Sequence, residues 1–141
     1  FGVDYSTALS TSTHQCFKDN GASFAIPRGW KSYGAFDTNV NQNLANAKSA
    51  GIKYVDTYMF PCRGVSATDQ ANSFYSQVNK NNFGTVWVDV EINPSSGCSW
   101  YSYSSSSNCS FLKELVNALK AYGKPVGIYS SVYQWEESMG S

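Results

Sequence analysis

Short apolar runs alternate with helical patterns along the whole chain, and this alternation constrains the fold more than any other feature. The runs "FGVDYS" (1–6), "SFAIPRGW" (23–30), "IKYVDTYMF" (52–60), "TVWVDVEIN" (85–93) and "PVGIYSSVY" (125–133) read as strands. Pro27 places the second run where one ladder donor is expendable. Between the runs lie four helical patterns. Ser12 with Gln15 resembles a capping box, and Gly21 ends that segment. Asp37 starts a helix with Val40, Leu44 and Ala47 on one face and Gly51 as its stop. Ser66 with Asp69 opens the next, whose Ala71, Phe74 and Val78 share a side and which ends before Gly84. Residues 95–110 are Ser-rich and read as a loop, after which Ser110 caps a helix with Leu112, Leu115, Val116 and Leu119 as its stripe. Strand and helix in strict alternation imply parallel strands joined by crossovers, in a doubly wound sheet or a TIM-type barrel. No GxGxxG follows the first strand, which favours the barrel.

The 141 residues fit one domain. Ten basic and ten acidic residues give a net charge of +0, which argues against a nucleic-acid partner. No apolar run is long enough to span a membrane, and a monomer is expected. Charged residues make up only 14% and aromatic ones 16%, a balance common in secreted proteins that handle carbohydrate. Phe1 begins directly on a strand-like segment, so a secreted protein would be represented here in its mature form.

Cys16, Cys62, Cys98 and Cys109 lack metal-site spacing, and no cofactor or metal is implied. Two disulfides are expected, in one of three connectivities, against the alternative of four free thiols. Pairing Cys98 with Cys109 closes the short Ser-rich loop, and Cys16 with Cys62 follows by exclusion. Asn108-Cys109-Ser110 is a formal glycosylation sequon. His14, the only histidine, is read as a surface residue, which leaves no Ser-His-Asp triad or HExxH site.

"TVWVDVEIN" carries the chemistry. Val86, Val88, Val90 and Ile92 alternate with Trp87, Asp89 and Glu91, and the two acids share a face with alpha carbons roughly 6.6 Å apart. In a barrel the valines face the helices and the acids point inward at the C-terminal rim, where barrel enzymes keep their active sites. Asp4 ends the first strand and reaches the same rim. Converging carboxyls hold at least one proton, as glycoside hydrolysis requires. The structural alternative is that these acids cap a helix, pair with Arg28 or Lys53, or bind calcium.

"GVDYS", "WVDVE" and "PVGIYSS", in that order and at that spacing, resemble the lysozymes of glycoside hydrolase family 25, in particular small secreted eukaryotic members with disulfides. The resemblance implies a lysozyme acting on bacterial peptidoglycan. Glu91 matches the general acid, Asp89 the carboxylate that orients the acetamido group or steadies the cation, and Asp4 the first-strand aspartate. Tyr58, Tyr129, Trp87 and Arg28 are expected to contact substrate, although packing serves the two tyrosines equally well. Retention through the substrate's own acetamido group is implied, in a secreted or lysosomal setting. The family barrel has eight strands and this chain stops at "QWEESMGS" after the fifth, so residues 1–141 are expected to form one catalytic domain incomplete at its C-terminus. A non-catalytic peptidoglycan- or chitin-binding protein and a chitinase-like hydrolase are the competing readings.

Overall fold

The computed structural model describes residues 1–141. Seven strands form one sheet: β1 (Gly2–Tyr5), β2 (Phe24–Lys31), β3 (Ala35–Phe36), β4 (Tyr54–Val55), β5 (Thr57–Met59), β6 (Val86–Asp89) and β7 (Val126–Tyr129). Five helices accompany them: α1 (Thr11–Asp19), α2 (Val40–Ser49), α3 (Ala67–Gln77), α4 (Ser105–Lys120) and α5 (Val132–Met139). The main strands run parallel in the order β1-β2-β5-β6-β7, with β4 pairing parallel to β2 and the short β3 turning back antiparallel on it. The fold is α/β with a mostly parallel sheet, and β1 and β7 stand at its two edges.

The valines of β6 decide which face is covered. Val86, Val88 and Val90 are fully buried in a cluster that also holds Phe74 of α3, Leu115 and Leu119 of α4, and Leu44 of α2. Ile92, expected to continue this row, is 44% exposed because the strand has already ended at Asp89. The expected third strand is interrupted at Asp56, whose N–H bonds back to Ala25 while that of Thr57 bonds forward to Thr85. Pro27 sits opposite Tyr5, the last residue of β1, and its carbonyl accepts the Thr57 hydroxyl.

Several local expectations give way to tertiary contacts. Helix α1 is capped by Ser10 rather than Ser12. His14 is not on the surface: it is wholly buried, with Nδ1 on the Ser10 carbonyl, Nε2 on the Tyr5 hydroxyl and Phe17 beside the ring. Asp37 lies ahead of α2, where its Oδ1 accepts from the Asn39 N–H. Ser104, not Ser110, caps α4, so the Ser-rich segment is partly helical. Asn108 draws it in: the side chain is 1% exposed, donates to the carbonyls of Trp100 and Ser138, and accepts from Arg63 Nε. This burial leaves the sequon's asparagine closed to a glycan. Residues 132–139, expected as strand end and tail, form α5 with Ser131 as its cap.

The cysteine pairing is also different. Cys62 bonds to Cys98, while Cys16 and Cys109 are free and exposed. Cys109 cannot reach Cys98 economically once α4 starts at Ser105, since it rides the helix beside Met139. The bridge joins the loop after β5 to the loop after β6, where a Cβ on Gly64 would lie 2.3 Å from the Gly97 carbonyl oxygen. Opening this bridge, which spans 36 residues, by Cys62→Ser with Cys98→Ser is expected to cost about 3–4 kcal/mol in chemical denaturation. Alkylation of the unreduced, unfolded protein is expected to mark Cys16 and Cys109 alone.

Candidate functional site

The sheet face opposite the valine cluster lines a cavity of about 750 Å³. Alternation along each strand builds it. Asp4 comes from β1, Phe24, Ile26 and Arg28 from β2, Tyr54, Asp56, Tyr58 and Phe60 from the β4–β5 segment, Trp87, Asp89 and Glu91 from β6 and just beyond, and Tyr129 from β7. All seven residues expected at the site meet there. Phe24, Ile26, Tyr54, Asp56 and Phe60 were not anticipated, although their parity with Arg28 and Tyr58 was a usable signal.

The cavity has an aromatic part and an acidic part. Trp87 is held at both ends of its indole: Nε1 donates to Asp56 Oδ2 at 3.0 Å, and the ring lies against Gly127, where a Cβ would come within 2.4 Å of Cε3. Asp56 is fixed in turn by the Thr85 N–H at 2.8 Å. Neither Asp4, Asp89 nor Glu91 pairs with Arg28 or Lys53, because Arg28 Nε is bonded to Asp37 Oδ2 at 2.8 Å, the only ion pair in the molecule. The carboxyls therefore remain uncompensated by a cation.

Asp89 bears the consequence. It is 8% exposed, and its Oδ1 is buried without a hydrogen-bond partner. Burial first, then the negative charges of Glu91 and Asp4, push it up from 3.8 to about 7. Tyr58 is pushed up to about 12, mainly by burial and against the opposing pull of Arg28. Tyr129 is raised chiefly by the charge of Glu91. The rim is held by Asn93, whose amide donates to the carbonyls of Ser32 and Pro61 and whose Oδ1 accepts from Ser95. Three strand-end loops are thereby tied together around the acids.

A carboxyl raised by burial weakens the fold once the unfolded chain can ionise it. Below 3.8 Asp89 carries its proton in both states; between 3.8 and about 7 the unfolded chain gives that proton up while the folded state keeps it, so stability falls across this window and levels off above it. Asp89→Asn is therefore expected to stabilise the protein by about 2 kcal/mol at pH 8, after discounting for solvent in the cavity, and by almost nothing at pH 3. Urea melts at the two pH values check this.

Known proteins share the family and the fold of this chain. The model of the family described as "Lysozyme-like protein 1" matches residues 1–141. A probable GH family 25 lysozyme 2 of Dictyostelium discoideum is 40% identical, and lysozyme-like protein 5 of Caenorhabditis elegans is 37% identical; each alignment covers 99% of this chain and 64% of the relative. A bacterial lysozyme from Streptomyces coelicolor superposes with a TM-score of 0.80 at 27% identity, over 99% of this chain and 66% of that one. The chain thus spans just under two thirds of the length of those two curated relatives.

Proposed function

This chain belongs to the lysozyme-like proteins of glycoside hydrolase family 25, and we propose that its cavity hydrolyses the β-1,4 bond between N-acetylmuramic acid and N-acetylglucosamine in bacterial peptidoglycan. The observation that carries this reading is the meeting of Asp89, Glu91 and Asp4 in one cavity walled by aromatic rings, where burial holds a proton on Asp89 up to about pH 7. Residues 1–141 act in it as one glycoside hydrolase domain.

Glu91 is the general acid. It is the partly exposed member of the pair, whereas Asp89 is buried behind it. The proton held by Asp89 is delivered through Glu91 to the glycosidic oxygen as the bond to the sugar carbon breaks. The acetamido carbonyl oxygen of the same sugar attacks that carbon, and Asp89 accepts a hydrogen bond from the acetamido N–H, which orients the group and balances the positive charge of the cyclic intermediate. Water then opens the intermediate, returns a proton to Glu91 and leaves the configuration retained. An internal nucleophile is held near its target at high effective molarity, so no carboxylate need form a covalent bond to the sugar. Asp4 adds negative charge beside the developing cation. Tyr58 and Tyr129 flank the acids, and Trp87 offers a flat surface to a sugar ring. The Cys62–Cys98 bridge suits an oxidising compartment, outside the cell or in a lysosomal lumen, where bacterial walls are met. No helix is long and apolar enough to cross a membrane.

Turbidity loss of a bacterial cell-wall suspension, with release of reducing ends, is the expected activity. Glu91→Gln should lower it about 10²- to 10⁴-fold with the fold intact by circular dichroism. Wall binding without any reducing-end release by the native chain would replace this reading with a glycan-binding one. The pH dependence gives a second check: kcat/KM is expected to fall above about pH 7 as Asp89 loses its proton. A rate that stays level to pH 9 would remove the Asp89 proton from the mechanism.

A further inference from the structure

Arg28 is the one cationic side chain lining a cavity that holds four carboxyls, Asp4, Asp56, Asp89 and Glu91. Such an arginine would be expected to neutralise one of them, but its ion pair is with Asp37, which does not line the cavity. Asp37 is itself fixed. Its carboxyl is 2% exposed, its Oδ1 accepts from the Asn39 N–H at 3.1 Å, and its own N–H donates to the Gly29 carbonyl at 2.9 Å. Only Nε of Arg28 is engaged, so Nη1 and Nη2 have no protein acceptor, and the side chain is 24% exposed. A guanidinium held by its inner nitrogen, with both outer nitrogens free, presents the fork that receives a planar anion in bidentate fashion.

From this geometry we infer that Arg28, positioned by Asp37, is a specificity-determining residue that receives a carboxylate carried on the 3-O substituent of the substrate's N-acetylhexosamine. The inference rests on the reading of the cavity as a glycan site and deepens it. The surrounding carboxyls disfavour an anion anywhere else in the cavity, so a negative group is tolerated only where it meets Arg28. Chitin carries no such group. Muramyl glycans do, in one of two places: the lactyl carboxylate once its peptide has been removed, or an acidic residue of an attached stem peptide. The chemistry recognised is the same in both.

The test measures binding by calorimetry, with Glu91→Gln as background so that ligands survive. The ligands are a muramyl-containing tetrasaccharide with free lactyl carboxylates, the same glycan with those groups reduced to alcohols, its peptide-bearing form, and chitotetraose. The free carboxylate, the peptide or both should bind about tenfold to a hundredfold more tightly than the reduced glycan and chitotetraose. Whichever does so identifies where the anion comes from. Adding Arg28→Met together with Asp37→Asn, which leaves no buried charge unpaired, should bring the ratio to within about twofold. Arg28→Lys, which keeps the charge and loses the fork, should give an intermediate ratio. Equal binding of all four glycans, or a preference that survives the double substitution, overturns the inference. Reducing-end release by the native chain is assayed in parallel: a preserved binding preference without cleavage would end the hydrolase reading and leave the Arg28 assignment standing.

Discussion

The burial of three valines on one side of β6 is the constraint on which the rest of the structure depends. Side chains alternate along a strand, so packing Val86, Val88 and Val90 against α3 and α4 leaves Trp87, Asp89 and Glu91 no other direction than the cavity. A slip of one residue would bury two carboxyls among Phe74, Leu115 and Leu119 and expose the valines. The cost of an unpaired charge in that cluster is many times the gain from any single contact, so the register is fixed by what it avoids as well as by what it buries. Neighbouring strands inherit the arrangement. The pairing of Tyr58 with Trp87, and of Asp89 with Tyr129, places side chains from three strands on one surface.

The same segment explains why the acids stand where strand order fails. Regular pairing stops at Asp89, and Glu91 follows after one more buried valine. A carboxyl within the strand is held by neighbours on both sides and loses its water. One two residues further on keeps partial access to solvent. Equivalent chemistry in the sequence thereby becomes two different environments in the fold, a buried acid that keeps its proton and a neighbour open to solvent.

Much of this was legible in the residues, and the division between what was and was not has a physical basis. Features with a period survive folding unchanged: alternation along and just beyond β6 carries Trp87, Asp89 and Glu91 to one cavity, where Asp4 from the end of β1 and the Arg28, Tyr58 and Tyr129 that the family resemblance implied also lie. Features judged from local polarity did not survive. His14 looked like a surface residue because a lone imidazole in a weak helix has no apolar stripe to join, yet Tyr5 and the Ser10 carbonyl satisfy both ring nitrogens and permit full burial. The Ser-rich stretch before Ser110 read as loop because its helix is supported from outside, through Asn108, Trp100 and Arg63. The cysteine pairing failed with it. Loop-closure entropy favours the nearest partner only when the intervening chain is free to bend, and helix α4 removes that freedom for Cys109.

The cavity's two parts impose opposite demands, and the strand edges reconcile them. The aromatic wall needs flat apolar rings held still, whereas uncompensated carboxyls need polar surroundings and room for water. Trp87 meets the first demand because Gly127, on an edge strand, lets the indole lie against bare backbone while Asp56 takes its N–H. Phe24 does the same at the opposite edge, where a Cβ on Gly2 would fall within 2.4 Å of three atoms of its ring. Glycine on β1 and β7 thus draws one ring toward each end of the sheet, and the middle is left to Arg28, Tyr58 and Asp89 on β2, β5 and β6.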